Sequence, residues 1–243
     1  MDHERTLELL WGTGQRPKRG PKPALSVRKV AEVAIGIADA EGLEAVSMQR
    51  VAAELGYTTM SLYRYFPAKE QLIEVMADLA PGSPPEPGPG DWREEVERWV
   101  RAMWELYQAH PWLLRVKLSG PPMGPGQLAW LDAGLRAMSG IGLTGDEMMM
   151  AFLFLDGAVR ELARIVGDIG RARAQAGVTD AQAEAGYATV LRKYVDPERF
   201  PALAKVIEEG AFEGAPSGGQ IPDLEFGLRR LMDGLETYAR SRD

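Results

Sequence analysis

The chain contains no cysteine among its 243 residues. Disulfide staples, a thiol nucleophile and thiolate-ligated zinc or iron–sulfur centres are therefore excluded. Histidine is almost as scarce. His3 and His110 are the only two, too few for a histidine-built metal site, so no metal and no cofactor are expected. Long apolar runs are missing as well: the longest, Met148 to Leu155, has eight residues, far below the ~20 needed to cross a bilayer. The opening MDHERTLELL is too charged for a secretory leader. A cytoplasmic protein without membrane contact is expected. Catalytic signatures are lacking too: there is no GxSxG, P-loop, HExxH, or GxGxxG after a strand. Glu161 and Asp168, with Arg160 and Arg164 nearby, read as helix-surface ion pairs, and no catalytic residue is assigned.

What remains is an ordinary globular composition, 45% hydrophobic and 26% charged, with a net charge of −7. That sum argues against indiscriminate nucleic-acid binding by the whole surface, but the charge is unevenly spread. Gly14 to Ile73 carries nine Lys/Arg against six Asp/Glu, while residues 74–243 carry 18 against 26. A mildly basic N-terminal segment thus precedes an acidic remainder.

Helix signals run through the chain, and no strand or internal repeat is evident. Residues 1–25 read as a flexible basic arm, its acid-free stretch QRPKRGPKPALSVRK holding three prolines that delay any helix until Ser26. Ser26 can cap a first helix, whose apolar residues Val30, Ala34, Ile37 and Ala38 share one face up to Gly42. Ser47 caps a short second helix that ends at Gly56, where a left-handed turn is easy. Thr58 or Thr59 can cap a third short helix through Met60 to Phe66. Pro67 must end it and suits the first turn of a fourth helix, about 68–80. Two short helices around a glycine turn, flanked by longer ones, outline a helix-turn-helix.

Five prolines and three glycines in residues 81–90 mark a linker between a domain at 26–80 and a larger helical domain at 91–243. Beyond it, Asp91 with Glu94, Thr144 with Glu147, and Thr179 with Gln182 have capping-box spacing. The stretch 210–219 reads as a loop, and a last helix runs from Asp223 to about Arg240. The fold expected is all-α.

Within this frame, SMQRVAAELGYTTMSLYRYFPAK, Ser47 to Lys69, resembles the DNA-binding domain of the TetR family of bacterial transcriptional repressors. The resemblance rests on the Ala-x-x-Leu-Gly turn, on Leu62-Tyr63-Arg64-Tyr65-Phe66 and on Lys69 after the proline, and it extends over about Ser26 to Ala80. Beyond Pro81 it is looser; Asp-Trp-Arg, His110-Pro111-Trp112 and the Phe226 to Leu235 ending look tetracycline-repressor-like. The physics agrees, since a recognition helix must offer polar and aromatic side chains from its first turns to the major groove. Thr58, Thr59, Ser61, Tyr63 and Tyr65 form such a surface, with Leu62 and Phe66 facing inward. By position in the family motif, Gln49, Thr59, Met60, Ser61 and Arg64 are base readers, and Tyr63, Tyr65 and Lys69 contact phosphates. The family's basic arm implies the same duty for Arg16, Lys18, Arg19 and Lys22.

The resemblance also implies an effector pocket in the larger domain. Trp99, Met103, Trp104, Tyr107, His110, Trp112, Trp130 and Phe152 are its candidate lining, suited to an apolar or aromatic small molecule. The helix around Met148 to Leu155 is apolar on every side, and Leu224, Leu228, Leu231, Leu235 and Tyr238 form a seam. Phe152, Leu155, Val159, Leu228, Leu231, Leu235 and Tyr238 are therefore expected at a homodimer interface, an intersubunit four-helix bundle; the competing reading is a central core helix within one subunit. A two-fold dimer sets two recognition helices about 34 to 36 Å apart and requires a palindromic double-stranded operator. The function expected is ligand-responsive repression. Other readings of the same residues are a helical-bundle enzyme or small-molecule carrier with an N-terminal helix-turn-helix, and a module that grips a different protein.

Overall fold

The structure is a computed structural model that describes residues 3–12, 25–117, 120–212 and 222–242. All regular structure among the described residues is helical. The first correction comes at the very start of the chain. Part of the expected arm is a helix, α1 (His3–Trp11), which packs on α5 (Lys69–Leu79). The rest of the arm, with Arg16, Lys18, Arg19 and Lys22, lies outside the described residues.

Local chemistry sets the boundaries of the next elements. The Ser26 hydroxyl accepts from the Lys29 amide at 3.2 Å and starts α2 (Val27–Glu41). Ser47 does the same for Arg50 at 3.1 Å and starts α3 (Met48–Leu55). Gly56 closes α3 at φ 74°, a conformation that penalises any residue with a Cβ. Next comes α4 (Thr59–Tyr63), which is shorter than the spacing predicts. Tyr65 and Phe66 both donate their amides to the Leu62 carbonyl, at 2.8 and 2.9 Å, so the chain turns before Pro67 rather than at it. Leu62 and Phe66 are fully buried with Val30, Ala34, Val51, Leu72, Val75 and Met76. That shared core sets α4 at a fixed angle on α2, α3 and α5.

The proline-rich stretch 81–90 is pinned to residues beyond it in the chain. Gly88 donates to Glu95 at 2.8 Å, Arg98 reaches the Pro89 carbonyl at 3.1 Å, and the Trp130 indole donates to the Gly82 carbonyl at 3.2 Å. The Asp91–Glu94 capping box opens α6 (Trp92–Ala109), which leads into a 3-10 turn at Pro111–Arg115. After α7 (Pro125–Ala137) comes the 32-residue α8 (Gly145–Ala176), opened by reciprocal bonds between Thr144 and Glu147. Next are α9 (Asp180–Tyr194), capped by the Thr179–Gln182 box, then α10 (Pro201–Glu208) and α11 (Pro222–Arg240).

The compact units do not divide at 81–90. One comprises residues up to Ala163 together with Met232 onward, and the other Arg164–Leu231. In the first unit, Arg93 on α6 pairs with Asp233 and Glu236 of α11 at 2.9 and 2.8 Å. Glu147 accepts from the Tyr238 hydroxyl and from Arg242, each at 2.7 Å. In the second unit, Asp168 takes both Arg164 and Arg171, Tyr187 meets Phe212 edge-on, and Leu224 and Leu228 are buried.

One contact ties α5 to α7 with unusual closeness. Asp78, only 2% exposed near the end of α5, accepts from the amides of Gly126 (3.1 Å) and Gln127 (2.9 Å). It thereby caps α7 from a distant element, a duty that Gly124 at the N-cap cannot perform. A Cβ on Gly126 would sit 2.0 Å from the Asp78 carbonyl oxygen, so only glycine permits the approach. Replacing Asp78 with alanine strands two part-buried amide donors and should cost about 1 to 3 kcal/mol, with Asp78→Asn losing less. Urea unfolding reads this directly; an unchanged midpoint for Asp78→Ala would contradict the capping role.

Candidate functional site

The surface of the helix-turn-helix presents most of the expected contact residues to solvent. Gln49, Thr58, Met60, Tyr63 and Arg64 are exposed, Met60 to 73%. Thr59, Ser61 and Lys69 are half-buried at its margin. Thr58 occupies the N-cap position of α4 without capping it through its side chain; its hydroxyl instead lies 3.0 Å from that of Ser61. Tyr65 departs from expectation. Its hydroxyl donates to the Leu25 carbonyl at 3.0 Å, so its one proton holds the entry to α2 rather than a phosphate.

A cavity of about 600 Å³ lies further along the same compact unit. Of the eight residues expected to line it, Trp99, Met103, Tyr107, Trp130 and Phe152 do so. Trp99 and Phe152 meet with ring centroids 5.4 Å apart, and the Trp99 indole donates to the Trp130 carbonyl at 3.1 Å, which fixes the aromatic wall. The other three do not line it. Trp104 is half-buried on the flank of α6. His110 Nδ1 and Trp112 Nε1 both bond Asp39 Oδ1 of α2, each at 2.7 Å. These two residues tie the helix-turn-helix segment to the 3-10 turn after α6, and Arg115 adds a bond to Glu44 at 3.1 Å.

Sequence reasoning missed the polar end of the cavity, where Asp156 and Arg160 of α8 join Tyr107. Arg160 donates to the carbonyls of Leu113 (3.1 Å) and Val116 (3.3 Å), and its guanidinium lies 5.9 Å from the Tyr107 ring centre. Burial, with Asp156 adding to it, pushes the Tyr107 hydroxyl up to about 12 against the opposing pull of Arg160. Burial also raises the Asp156 carboxyl above the ordinary aspartate range, Arg160 drawing it only partly back. The signal was present in the sequence: an acid and a base at i and i+4 directly after the apolar run Met148 to Leu155. From spacing alone, however, such a pair reads as a surface ion pair.

The residues expected at a dimer interface are mostly committed within the chain. Phe152, Leu155 and Val159 are 8, 3 and 0% exposed, so they face their own subunit's interior and offer a partner no surface. Leu228 is buried, Leu231 and Leu235 are half-buried, and Tyr238 is 46% exposed while bonding Glu147. The large apolar residues that α8 leaves most exposed are Met150, Leu153 and Phe154, with Ile165, Val166 and Ile169 exposed to a lesser degree further along it. Among the described residues no helix is long and apolar enough to cross a membrane, and no group of three or more His, Asp or Glu is arranged for a metal ion.

Comparison with known proteins adds the family. Residues 30–76 match the profile of bacterial regulatory proteins of the tetR family, and residues 84–239 that of the tetracyclin repressor-like C-terminal domain. The HTH-type transcriptional repressor DrrR1 of Streptomyces coeruleorubidus is 41% identical over 99% of this chain and 88% of its own length. The chain belongs to the TetR family. It is also similar to ActR of Streptomyces coelicolor, whose apo structure superposes with a TM-score of 0.70 at 26% identity, covering 90% of this chain and 99% of ActR. The complex of ActR with actinorhodin gives a TM-score of 0.71 at 28% identity over 88% and 96% of the two chains. As a TetR-family member this protein is a DNA-binding transcriptional regulator, and α3 and α4 are its helix-turn-helix.

The electrostatics of the cavity make a test. Because the folded state holds the Asp156 proton more tightly than the unfolded chain, ionised Asp156 weakens the fold at neutral pH, and the penalty fades as pH falls through its raised pKa. Asp156→Asn should therefore melt above the parent protein at pH 7, with the two curves converging toward pH 4. A variant that melts below the parent at pH 7 would show that the Arg160 pairing outweighs the burial.

Proposed function

We propose that this TetR-family regulator is a ligand-responsive repressor. A homodimer sets two copies of α4 into successive major grooves of a palindromic double-stranded operator, and an apolar or aromatic molecule in the cavity shifts it between two quaternary states. The observation that carries the reading is a shared helix: α5 closes the helix-turn-helix core with Leu72, Val75 and Met76 and walls the cavity with Glu74 and Ala77. A molecule filling the cavity acts on a helix from which the recognition surface cannot move independently. Its leverage is its differential affinity for the two states, commonly ~1 to 3 kcal/mol. The His110 and Trp112 bonds to Asp39 supply a second mechanical link to α2.

Each surface has its role in this reading. Gln49, Thr59, Met60, Ser61 and Arg64 read bases, while Tyr63 and Lys69 hold phosphates. Trp99, Trp130 and Phe152 favour a flat ring system, and Tyr107, Asp156, Arg160 and Gln127 meet its polar substituents. That the related ActR forms a complex with actinorhodin supports assigning the cavity to an effector. The dimer face is the uncovered side of α8. Met150, Leu153 and Phe154 are 69, 61 and 67% exposed there, a patch of the kind that marks an association surface.

The test is binding by the purified protein to duplexes tiled across the intergenic DNA beside its gene, with the palindromic duplex it retains taken as the operator. Lys69→Ala should weaken binding to every duplex and reduce the slope of log affinity against log salt by about one. Arg64→Ala should cost about 1 to 3 kcal/mol on the operator while leaving non-specific duplexes nearly unaffected. A Lys69→Ala salt slope equal to that of the parent, or an Arg64→Ala loss that ignores sequence, would overturn these assignments.

A further inference from the structure

The lining of the cavity includes residues from the first helix of the chain. Helix α1 precedes the helix-turn-helix in sequence, yet Thr6, Leu7 and Leu10 line the cavity that Trp99 and Trp130 wall on the other side. Their positions, i, i+1 and i+4, bring them onto one face of the helix. Glu8 is exposed on the outside. Two contacts dock the helix there: its packing on α5, and a 3.0 Å bond from the Trp11 indole to the carbonyl of Met123, itself part of the cavity rim.

Thr6 is the decisive residue. It is 3% exposed, and its hydroxyl has no hydrogen-bond partner among the described residues. Buried hydroxyls are nearly always paired, because leaving one unpaired in an apolar setting is unfavourable. If α1 served only as packing for α5, a valine or alanine at this position would avoid the penalty. An unpaired hydroxyl on a residue that lines an apolar cavity, covered while the cavity is empty, is a donor held in reserve for a polar substituent.

We propose that α1 is part of the effector site. Leu7 and Leu10 cover one face of the bound molecule, and the Thr6 hydroxyl hydrogen-bonds an oxygen substituent on it, a carbonyl or hydroxyl carried by a ring system. The inference rests on the reading of the cavity as the effector site. It adds that the first helix of the chain takes part in selecting the ligand and is buried further when the ligand binds.

The absence of cysteine makes this directly testable in the full chain, since any introduced thiol is unique. Thr6→Cys and, on the outer face, Glu8→Cys are labelled with a maleimide, with and without saturating 8-anilinonaphthalene-1-sulfonate as an aromatic probe. The fluorescence of the probe reports occupancy independently. The expected result is that the probe slows labelling of Thr6→Cys by about tenfold or more, an effect equivalent to the tenfold steps of ordinary binding equilibria. The rate for Glu8→Cys should stay within about twofold, on the same scale. Probe binding without protection of Thr6→Cys, or equal fast labelling at both positions, would remove α1 from the site while leaving the cavity reading intact. A parent protein that fails to bind the probe at all would overturn both.

Discussion

Asp78 bonds two backbone amides at the start of α7 from a position near the end of α5, with glycines at 124 and 126 the only residues small enough to let the helices meet there. A buried carboxylate tolerates little displacement, since each bond it loses leaves a charge and a donor unsatisfied in an apolar setting. The same helix is equally constrained in the turns before Asp78, because Leu72, Val75 and Met76 complete the core that orients α4. One eleven-residue helix thus satisfies two packing problems at once. A shift imposed on either side must be accommodated on the other, which is how a cavity walled partly by α5 can influence a surface that it does not touch.

The remaining contacts obey the same pattern. Asp39 on α2 gathers the ring nitrogens of His110 and Trp112 onto one oxygen, and the turn bearing Trp112 also supplies Leu113, whose carbonyl is held by Arg160 in the cavity. The polar end of the cavity and the first helix of the DNA-binding segment are therefore joined through a short chain of hydrogen bonds and one turn of backbone. The path is physical, made of bonds with defined partners, and it runs parallel to α5 rather than through it.

Much of the fold was legible because its signals are local. Ser26, Ser47, the Asp91, Thr144 and Thr179 capping boxes and the Gly56 turn each act within four residues, and each appears where its spacing placed it. The misplacements are long-range. Nothing near Thr6 in the sequence shows that its partner surface is a cavity built from residues far along the chain, so α1 read as the start of a charged arm. His110 and Trp112 have the chemistry of pocket residues, and only the distant Asp39 explains them as a junction. The apolar run Met148 to Leu155 is hydrophobic on all sides and so carries no helical phase. Phe152 and Leu155 could be told from Met150, Leu153 and Phe154 only once packing had chosen a face.

Mechanical continuity from the recognition surface to the start of α7 is the central claim. Amide hydrogen exchange at Gly126 and Gln127, the two donors to Asp78, measures it without any effector. With operator duplex bound at α4, such continuity predicts a changed protection factor at both amides, although neither belongs to the helix-turn-helix. Exchange rates at these two positions that are identical with and without operator would show that the effect of DNA binding stops at α5, and would contradict it.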